Sequence, residues 1–376
     1  MTTRGPAVRR WGPIGTGAAL VLTFLVLLVL GTVGGPAAPE RDDATPTAQG
    51  KAPPPDWMRK LRDGEKPPQF VLFSFDGAGS HEHWQRILPL ASKVNAHVTG
   101  FLSGIYLLPD ARKGEYEGPG HGRGRASISF GGTDAEVATR ITDLNTAFGQ
   151  GHEIGTHYNG HFCAGNEPSG GRWTLAEWDA ELDQFFSLVR QASTRGLRVP
   201  ENTMKGGRVP CLEGDPKAFL PALHERGMTY DTSITTEGVA WPELRDGVWE
   251  FWVPVVKVPA LAGKKVIMMD YNLWYSLNGA KDEPARDGEF TAVTLDTYRA
   301  AYQAAFNTNR APLTVGNHFN DWSGGAFSRA TEQFMNEVCV RPQTVCATYT
   351  EVIQWMKLQD PEILDTYRSK PHAQVS

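Results

Sequence analysis

Little in this sequence points to nucleic acid. Its 37 basic residues are outnumbered by 42 acidic ones, for a formal charge of -5. No positive surplus is left to drive sequence-independent binding to a phosphate backbone. Cysteine is scarce too. Four in 376 residues cannot build a small disulfide scaffold, and no CxxC pair marks a zinc ribbon or a redox motif. From Gln69 to about Leu358 there is neither an internal repeat nor a low-complexity tract. Between Trp11 and Pro39 charge is missing altogether. What is present is apolar material: 40% hydrophobic residues and 11 tryptophans exclude wholesale disorder and allow a sizeable core. The length allows one large domain or two modest ones.

The uncharged stretch follows Arg4, Arg9 and Arg10, and its centre, Ile14 to Val33, is long enough to span a bilayer core of ~30 Å as a helix. Basic residues on its N-terminal side hold that end in the cytoplasm and send the rest outward. The expected organisation is therefore a cytoplasmic N-terminus (1–13), a transmembrane helix or cleavable signal peptide (14–35), a Pro/Ala-rich linker (36–68), a globular domain (69–360) and a C-terminal tail (361–376). Small residues at Gly35, Ala37 and Ala38 keep cleavage open, whereas the length of the apolar core favours an anchor. No Cys follows the segment, so no lipid is attached there.

Strand and helix signals alternate in the globular part. Phe70–Phe75 is a nearly continuous apolar run, as a strand buried on both faces requires. His97–Leu102 and Glu153–Thr156 are weaker strand signals. Thr174 to Glu177 is a capping box, followed by Trp178, Leu182, Phe185 and Val189 at helical steps. Asp215-Pro216 opens another helix that stops at Gly227. Val248–Val256, Lys265–Met269 and Leu313–His318 read as strands; Leu295–Asn307, Arg329–Val338 and Glu351–Lys357 read as helices. That order predicts an α/β fold with a parallel sheet, open or closed into a barrel, and chemistry at the strand ends.

Polar residues at those ends have the makings of a metal-dependent hydrolytic site. His157 and His161 lie four apart, a spacing at which both imidazoles can reach one cation, zinc being well suited. His152 sits at a strand start and reads as structural. Asp76 directly follows an apolar strand, His318 repeats the pattern, and Arg208 precedes Val209-Pro210. Each alone has an ordinary explanation: a helix cap, a core histidine, a surface cation.

These pieces resemble a family. The chain is similar to the polysaccharide deacetylases of carbohydrate esterase family four, above all their chitin-deacetylase-like branch, from about Pro68 to Met356. Ser74-Phe75-Asp76-Gly77 stands where the family has T-F-D-D-G, His157-Tyr158-Asn159-Gly160-His161 where it has H-[ST]-x-x-H, and Arg208-Val209-Pro210-Cys211 where it has R-x-P and an aromatic. Tyr230-Asp231-Thr232-Ser233, the approach from Asn307 to His318, and Thr350 to Met356 continue the match in order. The resemblance implies a distorted, incomplete (β/α) barrel that removes acetyl groups from sugar polymers with a divalent metal, commonly zinc. It implies Asp76 as base, His318 as acid, Arg208 as the group holding Asp76, and His157 and His161 as metal ligands. Asp231 and Trp322 would face the substrate, or Asp231 would orient a catalytic group. The partners it implies are an acetylated polysaccharide and, through the N-terminal helix, the membrane.

Three positions depart from the pattern: Gly77 replaces the metal-binding Asp, Tyr158 the Ser/Thr, and Cys211 the aromatic. Asp76 could move into coordination, or His81, Glu82 or His83 could fill the gap. Three functions follow: a deacetylase, a silent glycan-binding domain of the same fold, and a hydrolase of another amide or ester. Trp84, Trp241, Trp274 and Trp322 suit sugar stacking as well as core packing. Cys339 and Cys346 flank a short loop and are expected to pair. Cys163 and Cys211, both near the implied site, are expected to pair as well, with free thiols or metal ligation as alternatives.

Overall fold

The computed structural model describes residues 55–375. The expected cytoplasmic stretch, the anchor or signal segment, and the linker up to residue 54 lie outside these residues. Among the described residues no helix is long and apolar enough to cross a membrane.

In chain order the elements are β1 (Gln69–Asp76), α1 (His81–Lys93), β2 (Thr99–Leu102), α2 (Asp134–Gly149), β3 (Glu153–Thr156), α3 (Leu175–Ser193), β4 (Gly206–Gly207), α4 (Pro216–Glu225), β5 (Tyr230–Asp231), β6 (Thr235–Glu237), β7 (Glu243–Arg245), β8 (Val248–Glu250), β9 (Val253–Val258), β10 (Lys264–Ile267), α5 (Asp270–Asn278), α6 (Asp287–Asn307), β11 (Leu313–His318), α7 (Trp322–Val338), β12 (Thr344–Cys346), α8 (Tyr349–Leu358) and α9 (Pro361–Arg368). β1 is buried along its whole length, as its apolar run requires. It pairs in parallel with β11, β2 and β12. The main sheet runs β11-β1-β2-β3-β4-β5-β8-β7, and the β7–β8 edge is antiparallel. This path does not close on itself: it is a curled half-barrel of mixed α/β type, as an incomplete (β/α) barrel should be. A three-stranded sheet, β10-β9-β6, stands beside it.

Capping chemistry places the helices. Thr133, Thr174 and Thr348 form complete capping boxes with Glu136, Glu177 and Glu351, and Asp215 caps α4. The sequence reading needs correction in four places. Val248–Val256 is not one strand: β8 and β9 belong to different sheets, and buried Phe251 with half-buried Trp252 carries the apolar pattern through the corner. The helix read from Leu295 begins earlier, at Asp287, and the one read from Arg329 reaches back towards Trp322 across a left-handed kink at Ser323, Gly324 and Gly325. Residues 55–68 are docked rather than free. Trp57 meets Phe70 edge-on at 5.7 Å, and the Leu61 amide donates to Gln359. Finally, within the expected tail, residues 361–375 pack on the domain: α9 and the segment after it bury Leu364, Ala373 and Val375, and Ala373 bridges Val239.

Candidate active site

The strand register builds the site. Asp76 is paired across the β1–β11 ladder with His318, so the two stand side by side at the C-terminal ends of their strands. β3 ends at Thr156, which pairs with Gly207 of β4, so His157 and Arg208 emerge next to each other. Four chemically active side chains thus leave the same end of one sheet, where parallel α/β folds place their chemistry. Asp76, His157 and His318 line a cavity of about 580 Å³, together with Gly77, Tyr106, His161, Leu212, Tyr271 and Trp322 among others, while Arg208 lies buried behind it.

Arg208 is fully buried and donates to Asp76 Oδ1 at 2.9 Å, to the Thr232 carbonyl at 2.9 Å and to the Tyr349 hydroxyl at 3.1 Å. Its guanidinium lies over the Phe101 ring. Gly316 leaves it room: a Cβ there would come within 3.3 Å of Arg208 Nη1. Burial alone would raise the Asp76 carboxyl, but the Arg208 charge, aided by the nearby imidazoles, outweighs it and holds Asp76 below the ordinary carboxylate value. Asp76 is therefore an ionised buried carboxylate with one oxygen tied and the other, Oδ2, 4.0 Å from His318 Nε2.

His318 is oriented by a residue the sequence reading missed. Its Nδ1 donates to Asp270 Oδ1 at 2.7 Å, while Asp270 Oδ2 accepts from the His318 amide at 2.7 Å and from Asn320 at 2.9 Å. Burial opposes a charge on this imidazole, yet Asp270 and Asp76 overcome that and raise its pKa above the usual histidine value. Its Nε2 edge lies toward Asp76, and the raised pKa favours a proton there.

His157 donates from Nδ1 to the Arg208 carbonyl at 2.8 Å, which leaves Nε2 as a lone-pair donor, buried and without a partner. Burial lowers His157 to about 3, only partly offset by Asp76, and lowers His161 as well, so both rings are neutral. Their centroids are 5.3 Å apart. Tyr158 and His161 both take positive φ, 54° and 56°, a conformation such residues rarely hold unless the surroundings impose it. Glu181 imposes it here. Fully buried on α3, it accepts the Asn159 and Gly160 amides at 3.0 and 3.2 Å and the Tyr116 hydroxyl at 3.0 Å. A sequence signal existed: Glu181 interrupts the apolar stripe of Trp178, Leu182 and Phe185.

As a metal site the residues fit in part. Two neutral imidazoles, one with an orphaned buried nitrogen, are what zinc or a similar cation takes as ligands. A third free ligand is not assembled. Among the described residues, the group of three ligating side chains with all donor atoms within 4.8 Å is His161, Cys163 and Cys211, and Cys163 and Cys211 are joined in a disulfide. Cys339 pairs with Cys346, as expected. The gap at Gly77 is not filled from α1. His81 binds Asp143, and His83 is held by Ser80 and the Asn320 carbonyl. Glu82 accepts the Ser80 hydroxyl at 3.1 Å. Asp231 does not face substrate either. Fully buried, it holds the Ser233 amide and hydroxyl, and Ser233 receives the Val209 amide, so Asp231 acts on the backbone beside Arg208. Of the four tryptophans, Trp322 lines the cavity, while Trp84, Trp241 and Trp274 are buried in the core.

In fold the chain resembles a class of proteins, the polysaccharide deacetylases of carbohydrate esterase family four. Particular solved structures similar to it include a Mycobacterium smegmatis protein provisionally described as a polysaccharide deacetylase, at 14% identity over 83% of this chain and 94% of that one, with a TM-score of 0.48. The chitin deacetylase of Colletotrichum lindemuthianum follows at 14% identity, over 75% and 85% of the chains, with a TM-score of 0.41. A family-four pseudoenzyme from Bacillus anthracis matches at 12% identity, over 78% and 66%, with a TM-score of 0.42. No family model and no curated protein matches the chain. At identities and TM-scores this low, the likenesses carry no argument about the chemistry of the site.

Proposed function

We propose that this protein is a hydrolase that removes acetyl groups from an acetylated polysaccharide outside the cytoplasm. The observation that carries the reading is the opposition of the Asp76 carboxylate and the His318 imidazole, 4.0 Å apart in the lining of the cavity, each fixed by its own buried partner. Asp76 Oδ2 takes a proton from the attacking water, and Arg208 keeps Asp76 ionised and oriented. His318 Nε2 gives its proton to the departing nitrogen or oxygen, and Asp270 stabilises the imidazolium before that step. Such positioned transfers contribute about 10²–10⁴-fold. What a divalent cation would supply, held by His157 and His161, is Lewis-acid polarisation of the acyl carbonyl. Two disulfides fit an oxidising compartment, and the uncharged segment before the domain supports anchoring or export. Membrane fractions washed with carbonate should retain the full chain if the segment is an anchor.

The second reading, a silent glycan-binding domain, is favoured by one observation: Gly77 leaves the two imidazoles without a third ligand. Acetate release from acetylated chito-oligosaccharides separates the two. Release that zinc restores after chelation supports the enzyme. Glycan binding with no release under any divalent cation overturns it.

A further inference from the structure

Helix α5 carries more than the carboxylate that holds His318. Tyr271 follows Asp270 directly and lines the cavity. Tyr275 lies four residues on, hence on the same face one turn along. The two rings are nearly parallel, 25° apart, with centroids separated by 6.5 Å. Tyr271 meets Trp322 edge-on at 5.7 Å, and Trp322 stands 5.4 Å from the His318 ring. Beneath the row, Trp274 stacks on Trp322 at 4.7 Å and 17° and is itself buried. Exposure rises along the row away from the acid: Trp322 is half-buried, Tyr271 is 44% exposed and Tyr275 61%.

Single exposed hydrophobics need no explanation, but two adjacent aromatic faces continuous with a reactive cavity do. A tyrosine presents a rigid apolar face and a polar tip with only two side-chain torsions to freeze. That combination matches a pyranose ring, whose C–H face is apolar and whose rim carries hydroxyls. Trp322, Tyr271 and Tyr275 bring no cation to the row, so nothing in it selects an anionic polymer.

We propose that Tyr271 and Tyr275 form a subsite for the sugar units adjoining the one whose acetyl group enters the cavity, so that the site takes a polymeric, neutral glycan rather than a small ester or amide. This deepens, and rests on, the deacetylase reading of the cavity. The test uses the full chain and its Tyr275→Ala and Tyr275→Phe variants. Acetate release is followed from the fully acetylated disaccharide and hexasaccharide of chitin, and mobility is followed in native gels containing acetylated glycol chitin. With Tyr275→Ala, KM for the hexasaccharide should rise about fivefold, the order of one aromatic contact. KM for the disaccharide should stay unchanged, gel retardation should be lost, and Tyr275→Phe should behave as the parent. Equal changes in KM for both substrates, or undiminished retardation, would overturn the subsite. So would a fall from dimer to monomer on sedimentation with retardation intact, since the patch would then be a contact between copies. If the parent releases acetate from neither substrate, the deacetylase reading fails, while the gels still decide the subsite.

Discussion

Gly77 sits at φ +63°, and a Cβ built on it would lie 3.5 Å from the Tyr106 hydroxyl, an ordinary contact. Space therefore permits a side chain where the family resemblance expects a carboxylate, and the backbone opposes it by ~1 kcal/mol. Gly77→Asp should bind zinc more tightly than the parent in calorimetric titration while losing about that much stability; unchanged affinity would mean that the new carboxylate points away from the imidazoles. The acid is open to a second test. Asp270 touches no reacting atom and acts through His318, so its loss should appear in turnover rather than in binding. With Asp270→Asn, kcat should fall by roughly 10²-fold or more with KM little changed. A proportional rise in KM would instead assign Asp270 to substrate binding or to the fold.

At the scale of elements, the loop that carries His161 is tied to the loop after Arg208 by Cys163–Cys211, which closes 48 residues, whereas Cys339–Cys346 closes only 7. Cross-links that close longer loops remove more freedom from the unfolded chain. Serine at both Cys163 and Cys211 should lower stability by roughly 3–4 kcal/mol in urea titrations, and serine at Cys339 and Cys346 by less. The reverse order would show that native-state packing, not loop closure, dominates. The same scale shows what the sequence disclosed. β1 was legible because a strand buried on both faces writes a nearly continuous apolar run, β3 and β11 only more weakly because Gly and polar residues interrupt theirs, and α3 because its capping box and stripe agree. Asp76, His157, Arg208 and His318 were legible through motifs at the ends of such strands. α5 was not: no side chain caps its start at Met269, and in nine residues its exposed Tyr271 and Tyr275 blur the apolar stripe of Leu273 and Trp274. Asp270, Tyr271 and Tyr275 went unseen with it. Asp231 was left between substrate contact and an orienting role because a motif gives position along the chain, not which way the carboxylate faces; buried on Ser233, it takes the second.

For the molecule as a whole, the dependence of stability on pH follows from two neighbouring buried groups that pull in opposite directions. Burial raises Glu153 from 4.5 to about 7, although hydroxyls of Thr350 and Thr99 donate to it. Burial, with His97 nearby, lowers His152 from 6.5 to about 4. A raised carboxyl means that the folded state holds a proton the unfolded state has released, so stability is complete below about 4.5 and is lost as pH climbs through 7. A lowered imidazole means the unfolded state gains a proton first, so stability is complete above about 6.5 and is lost as pH falls through 4. Between these values the two slopes cancel, and the pair contributes little pH dependence of its own. Removing one should expose the other. Glu153→Gln keeps the shape of the neutral carboxyl that the fold holds and abolishes its titration, worth on the order of 3 kcal/mol for a shift of this size. The variant should therefore gain stability relative to the parent when urea midpoints are compared at pH 8 and at pH 5, and its own profile should fall more steeply below pH 6.5 through His152. A difference between variant and parent that does not change with pH would mean that Glu153 is already ionised in the folded protein.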